Sequence, residues 1–334
     1  MSEIVPILLL GLHLLAMNVA SGGPLVGAWL EWREHRKDRL ATLAADYLAK
    51  SVVHALITGI VLGLLLGWWS WSTSYQSLWL NRLHYKLVWG VGELVFSLLI
   101  AVGYWRWRVA KVGMEGTRRW LRSGLLVLNG TNLLYHFPSL FLLAGQLMAT
   151  ADIEGADLRG GTFRARIALD GIPAMSVHFA LASIAMAGIV LLGLALRIPK
   201  QVAGEEGESL ASRAATWGGM IALGATLLQL PVGLWVLSSS SSALRDQLMG
   251  HSPVAAICFL ISMPMALWLA QVLAMISMGE TQRKEIIKAM TAMVVVVLLM
   301  TAAHRLGMKG AQAASGATPV IETPTETPAT DLAR

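Results

Sequence analysis

The sequence has little charge and almost no cysteine. Only 14% of its 334 residues are Asp, Glu, Lys or Arg, whereas soluble domains have about 25%. The one cysteine, Cys258, excludes a disulfide framework, and the absence of a CxxCH motif excludes a covalently attached c-type haem. Hydrophobic residues make up 55% of the chain, and the mean hydropathy is +0.61. These values indicate an integral membrane protein.

Eight apolar segments are long enough to cross a hydrocarbon core of about 30 Å, which takes about 20 helical residues. They lie at 4–30, 47–71, 83–105, 123–149, 173–197, 214–238, 253–278 and 286–304. We therefore predict an all-α integral membrane protein with about eight transmembrane helices in two four-helix sets. The loop 151–171 separates a first bundle at 1–150 from a second at 151–307. The Pro-, Thr- and Ala-rich segment 308–334 has no apolar period and is predicted to be a disordered tail.

The net charge of +6 arises from Lys and Arg in short loops between the apolar segments. This placement is typical of topology signals, so we expect no nucleic-acid partner. The basic loops are 31–39, 106–122, 197–213 and 279–285, which the positive-inside rule assigns to the cytoplasm. The other side receives 72–82, 151–171, 238–252 and both termini. We expect a multi-pass protein of the bacterial inner membrane, embedded in the lipid bilayer, with both termini periplasmic.

Several ionisable side chains fall inside the apolar segments, where their burial is costly and functional roles are common. Counted inward at 1.5 Å per residue, His178 lies ~8 Å deep, His13 ~14 Å, Glu93 ~15 Å and His136 ~20 Å. Met263 lies ~15 Å deep on the same count. We expect these groups to share the outer half of the membrane, with His84 nearer the outer surface.

Neutral imidazole and methionine thioether are both axial ligands of haem iron. The candidate haem ligands are His13, His178, His136, His84, Met263 and Met265. The alternative for a buried histidine is a hydrogen bond to a neighbouring helix, and the alternative for the methionines is core packing. Glu93 is a candidate proton relay or haem-site acid, because a carboxyl group at mid-depth must be protonated, paired or used by a cofactor.

Several short motifs, in order along the chain, resemble the large haem-bearing subunit of cytochrome bd quinol oxidases. They are His13 followed by Glu31, Glu93 in "WGVGELVFSLL", "GTN" at 130–132, "SVHFALASIAMAG" around His178, and "LLQLPVG" at 227–233. The resemblance implies that His13 and His178 ligate haem, His178 a low-spin haem b, and that Glu93 lies near the oxygen-reacting haem. It also implies a methionine ligand on the seventh helix, where Met263 and Met265 lie.

The resemblance implies one to three b-type haems, with a haem d-like group as a further alternative. We expect a shortened, divergent member that transfers electrons between a quinone pool or a periplasmic cytochrome c and partner subunits of a respiratory complex. The loop at 238–252 is much shorter than the family's quinol-oxidising loop, which favours electron transfer. Two alternatives stay open: a terminal oxidase that reduces oxygen, and a haem-free membrane anchor or transporter.

Overall fold

The computed structural model describes residues 3–34, 36–110, 116–150, 152–153, 155–169 and 171–316. Within these ranges the chain is helical, with no strand. The helices are α1 (Ile4–Glu34), α2 (Arg39–Trp69), α3 (Thr73–Ser77), α4 (His84–Val109), α5 (Gly116–Ala149), α6 (Gly160–Ile167), α7 (Ile172–Ala195), α8 (Gly204–Ser239), α9 (Ser242–Asp246), α10 (Pro253–Ser277) and α11 (Arg283–Gly316). The first residues of the 308–334 segment therefore continue α11, and residues 317–334 lie outside the described residues.

Seven of the described helices are long and apolar enough to cross a membrane: α1, α2, α4, α7, α8, α10 and α11. The chain is thus an all-α, multi-pass membrane protein. The remaining predicted span, 123–149, lies inside α5, a helix of 34 residues. Asn129, Asn132, His136 and Gln146 lower the hydropathy of α5, yet its length of about 51 Å at 1.5 Å per residue exceeds the hydrocarbon thickness.

Helix α1 lies at the centre of the bundle and packs against α2, α5, α7 and α11. Close packing with α7 is possible because Gly22 has no side chain. A Cβ atom at Gly22 would lie 1.9 Å from the backbone oxygen of Ser183. At the same crossing, the Ser183 hydroxyl donates to the side-chain oxygen of Asn18 over 3.0 Å. The main core therefore contains residues from both halves of the chain.

The loops gather at opposite ends of the helical bundle. At one end, Leu158 hydrogen-bonds to Arg82, Gly171 approaches Ser239, and Lys309 pairs with Glu3. At the other end, Asp38 pairs with Arg213, Arg39 pairs with Glu206, and Thr281 hydrogen-bonds to Ser212. We call these the terminal end and the basic end, because the first holds the start of α1 and the second holds the basic loops. Which of them faces the cytoplasm stays a prediction.

Candidate functional site

His13 is held against α2 by a hydrogen bond and by two glycines. Its Nδ1 donates to the backbone carbonyl of Gly59 over 2.8 Å. The edge of the ring rests on Gly63, where an added Cβ atom would lie 3.0 Å from the His13 Cε1. With the proton on Nδ1, the Nε2 lone pair is left as an acceptor or a metal ligand. The same contact also satisfies a core histidine, so the geometry fits both interpretations of His13.

His178 lies on α7 without a hydrogen-bond partner. Its Nδ1 atom is buried, and nothing in the described part of the chain donates to it or accepts from it. Helices α1 and α7 both begin at the terminal end, so they run parallel. Asn18 follows His13 by five residues, and Ser183 follows His178 by five residues. Asn18 and Ser183 are in contact. The two imidazoles therefore lie at nearly the same depth, although His13 is turned towards α2.

Glu93 and His136 meet between α4 and α5. The Glu93 Oε1 and the His136 Nε2 are 3.9 Å apart, and both side chains are partly exposed in the single chain. On the side of this pair towards the basic end, the Asn132 amide donates to the Ser97 hydroxyl over 2.9 Å and to the Glu93 backbone carbonyl over 3.2 Å. The structure thus brings the predicted acid and the predicted histidine together, and adds Ser97 and Asn132 to them.

The other three candidate ligands differ in their exposure. His84 is exposed at the start of α4. Met263 on α10 is 40% exposed in the single chain, so its side chain is open to lipid or to a partner subunit. Met265 is partly buried and packs against the main core. In the described ranges, no three His, Cys, Asp or Glu side chains form a group that could hold a metal ion, but a haem iron needs only one or two protein ligands.

A buried ionic cluster lies near the basic end. Arg108 on α4 contacts Glu31 over 2.7 Å and Glu34 over 2.9 Å, and its Nε donates to Asp46 over 2.5 Å. The Tyr104 hydroxyl also donates to Glu31, over 2.6 Å. Arg122 on α5 lies 2.9 Å from the second Glu31 oxygen. Helices α1, α2, α4 and α5 are therefore joined by charge-assisted contacts, which are stronger than neutral hydrogen bonds.

Arg108 and Arg122 fall in the predicted basic loop 106–122, so their burial was not expected. Their side chains are only 3% and 4% exposed. The spacing of polar residues in α1 and α4 was a signal for this burial. Glu31 and Glu34 are three residues apart and Tyr104 and Arg108 are four apart, so each pair presents polar groups on one face of a helix.

A small cavity separates the ionic cluster from the Asn132 contacts. It has a volume of about 10 Å³ and is lined by residues of α1, α2, α4 and α5, among them Pro24, Tyr104 and Asn129. This is space for about one water molecule. Asn129 is fully buried, and neither atom of its amide group has a protein hydrogen-bond partner in the structure. Such a group requires a polar partner, because burial without one costs about 1–3 kcal/mol.

The fold defines the chain as a helical, multi-pass membrane protein, and a solved structure shares that fold. A chain of the bd oxidase from Geobacillus thermodenitrificans superposes with a TM-score of 0.70 at 13% sequence identity. The match covers 93% of this chain and 86% of the other. No family model and no curated protein matches the sequence. The comparison therefore shows that the helices of this chain are arranged as in a bd oxidase chain.

Proposed function

We propose that this protein is a haem b-binding membrane subunit, similar to the large subunit of cytochrome bd oxidases, that transfers electrons within a respiratory complex. The observation that carries the proposal is the buried Nδ1 atom of His178, which has no hydrogen-bond partner among the described residues, in a fold shared with a bd oxidase chain. A buried polar atom without a partner is rare in proteins, and an unrecorded ligand is one of its ordinary explanations.

His178 fits a haem ligand because its buried Nδ1 has no hydrogen-bond partner in the described part of the chain. Ala182 lies one turn further along the same face of α7 and is only partly buried, and its small side chain would leave room for a large planar group. Coordination would offset the free energy of burying a polar ring among apolar side chains. His178 would hold a low-spin haem b near the terminal end.

His13 fits a second ligand because its tautomer is fixed by Gly59. Histidines that bind metals usually donate their other N–H to a carbonyl or a carboxylate, which orients the ring. Gly59 supplies that carbonyl, and the absence of a side chain at Gly63 lets the ring lie against α2. His136 would be the further ligand of this haem, and two histidine ligands would suit the haem to electron transfer. His84, Met263 and Met265 have weaker support, since His84 and Met263 are exposed and Met265 packs against the main core.

Glu93 would serve as the acid of this site. Its carboxyl group lies beside His136, and polar side chains continue from it towards the basic end through Ser97, Asn132 and Asn129. Tyr104 follows, where the ionic cluster begins. Hydroxyl and amide groups in such an arrangement can hold a proton or an ordered water molecule. Glu93 could then take up a proton when the charge of the site changes.

A bound haem would supply one-electron chemistry, and the chain would supply ligation, orientation and a dry environment. The partners that this role requires are other membrane subunits and a donor, either a quinone or a periplasmic cytochrome c. Because Glu93 and His136 are partly exposed at membrane depth, a neighbouring subunit would complete their shielding from lipid.

The proposal is tested by optical spectra of the purified protein in detergent, oxidised and then reduced. We expect a Soret band that shifts on reduction. A protein expressed with adequate haem supply that shows no such band would contradict the proposal. Addition of carbon monoxide to the reduced protein then distinguishes a six-coordinate haem, whose spectrum does not change, from an open iron face that fits a terminal oxidase.

A haem-free membrane anchor is the second candidate function. The observation that favours it is the hydrogen bond from His13 to Gly59, which satisfies one imidazole nitrogen with protein atoms alone. This candidate predicts no Soret band, so the same spectra separate it from the first proposal.

A further inference from the structure

An open groove of about 550 Å³ lies at the basic end of the bundle. It is lined by Trp29, Trp32, Arg33, Arg36 and Arg119. The first four lie in the last turns of α1 or just after it, and Arg119 lies in the first turn of α5. The groove is separate from the histidines of the proposed haem sites, which lie towards the terminal end.

Tryptophan rings mark this level as the boundary between hydrocarbon and water. Trp29 and Trp32 are 40% and 39% exposed, which is unusual for core aromatic residues. Trp29 packs edge-on against Trp217 of α8, and Trp32 packs edge-on against Trp120 of α5. Tryptophan is enriched where membrane proteins meet lipid headgroups, because its ring is apolar and its N–H is polar. The groove therefore lies at headgroup level.

Some hydrogen-bond donors of the groove arginines have no acceptor in the described part of the chain. The Arg119 guanidinium stacks over Trp32 at 4.8 Å, and its Nε and Nη1 are buried with no hydrogen-bond partner in the structure. Arg36 is exposed and pairs with no carboxylate of the described residues. Arg33 stacks over Trp217 at 4.8 Å and is 3.8 Å from Asp38, which Arg213 holds more closely at 3.0 Å. Buried guanidinium donors call for an acceptor, and their planar fork matches phosphate oxygens.

Apolar side chains continue from the groove along the outside of α5. Trp120, which packs against the groove residue Trp32, and Val127 are two helical turns apart on one face and are 63% and 45% exposed. This face continues from the groove towards the middle of α5. A ligand held at the groove by its charge would thus have an apolar surface beside it for acyl chains.

We propose that this groove binds the phosphate of an anionic phospholipid, with Arg36 and Arg119 as its ligands and the Trp29 and Trp32 rings as its walls. A lipid fits better than a soluble phosphate compound because the groove lies at headgroup level and opens onto the apolar face of α5. The expected specificity is for headgroups with net negative charge, such as phosphatidylglycerol, over the zwitterionic phosphatidylcholine. Each arginine near a membrane surface contributes roughly fivefold to such an association.

The test uses the full chain in vesicles of phosphatidylcholine that contain a small fraction of spin-labelled phosphatidylglycerol or spin-labelled phosphatidylcholine. Electron paramagnetic resonance gives the fraction of each label that the protein immobilises. The variants are Arg36→Gln, whose side chain is exposed, and the double variant R36Q/R119Q. The control is R283Q/K284Q, which removes two positive charges from exposed residues of the same end but outside the groove.

We expect the wild type and the control to immobilise phosphatidylglycerol in preference to phosphatidylcholine. Arg36→Gln should weaken that preference about fivefold, and the double variant should weaken it further. An equal loss in the control would show general surface charge instead of a site and would overturn the proposal. Displacement of the labelled lipid by inorganic phosphate or ATP would also overturn it, because the groove would then take soluble phosphate compounds.

Discussion

His13 on α1 and Gly59 on α2 are joined by a hydrogen bond of 2.8 Å from the imidazole Nδ1 to the backbone carbonyl. The bond crosses between two membrane helices and fixes the tautomer of the ring. It leaves Nε2 as the nitrogen able to bind iron, and it sets the direction in which that nitrogen points. The position of one imidazole thus depends on how closely α1 approaches a row of glycines on α2.

Gly63→Ala tests this dependence. The new Cβ atom would lie 3.0 Å from the His13 Cε1 and 3.2 Å from its Nδ1, so the ring must shift. We expect weaker haem binding at His13, on the order of tenfold, as is typical when the orientation of a metal ligand is disturbed. Haem titration of the apoprotein measures the effect. Gly67→Ala is the matched control, since it lies one turn along the same helix with no heavy atom within 4 Å of its Cβ position. Equal affinities in the two variants would contradict the account.

Gly22→Ala should destabilise the fold through the crossing of α1 and α7. Its Cβ atom would overlap the Ser183 backbone oxygen at 1.9 Å, and backbone atoms cannot move aside as a flexible side chain can. We expect a loss of about 1–3 kcal/mol or more in the free energy of unfolding, measured by denaturant titration in detergent micelles. Gly224→Ala, on α8 with open space around it, should leave stability unchanged or raise it by up to about 1 kcal/mol. A Gly22→Ala variant as stable as wild type would show that the helices are further apart.

Arg108→Gln should be strongly destabilising. Its loss leaves the buried carboxylates of Glu31 and Glu34 without their main counter-charge, and breaking a buried ion pair in this way costs about 3–5 kcal/mol. The control is Arg106→Gln, which removes the same charge from an exposed residue in the same helical turn. Thermal unfolding of the two variants in one detergent compares them directly. Similar melting temperatures would mean that the ionic cluster is open to water.

The contact between Glu3 and α11 should depend on pH. A hydrogen bond from Lys309 lowers the pKa of the Glu3 carboxyl group below its ordinary value, with Arg305 adding to the effect. Because the folded pKa is lowered, the contact stabilises the native state above the ordinary glutamate pKa and is lost as the pH falls through the lowered value. Hydrogen exchange should show protection of the end of α11 that declines on acidification. In Glu3→Gln this decline should be absent, and a decline of the same size there would contradict the assignment.

Much of the fold was predictable from the sequence, because membrane helices follow from apolar length alone. Seven of the predicted spans lie in helices that are long and apolar enough, and the eighth lies in α5, whose Asn, His and Gln residues reduce its hydropathy. The sequence placed Glu93 and His136 in the same half of the membrane, and their side chains are 3.9 Å apart in the structure.

The burial of Arg108 and Arg122 was not predicted, although the spacing of Glu31 with Glu34 and of Tyr104 with Arg108 was a signal for it. Arginines that flank an apolar run are normally solvated, and only the packing of four helices brings carboxylates to them. The equal depth of His13 and His178 was missed for a similar reason. Counting residues from helix ends takes no account of where two helices cross, and the crossing is set by Gly22 against Ser183.

The central claim is that His178 holds a haem, and the haem content of His178→Ala tests it most directly. The matched control is His54→Ala, an exposed histidine of α2 that hydrogen-bonds to the backbone of its own helix. Haem per protein would be measured by the pyridine haemochrome method on samples with equal helicity. We predict that His178→Ala loses one haem per protein and that His54→Ala loses none. A folded His178→Ala variant with the haem content of wild type would contradict the account.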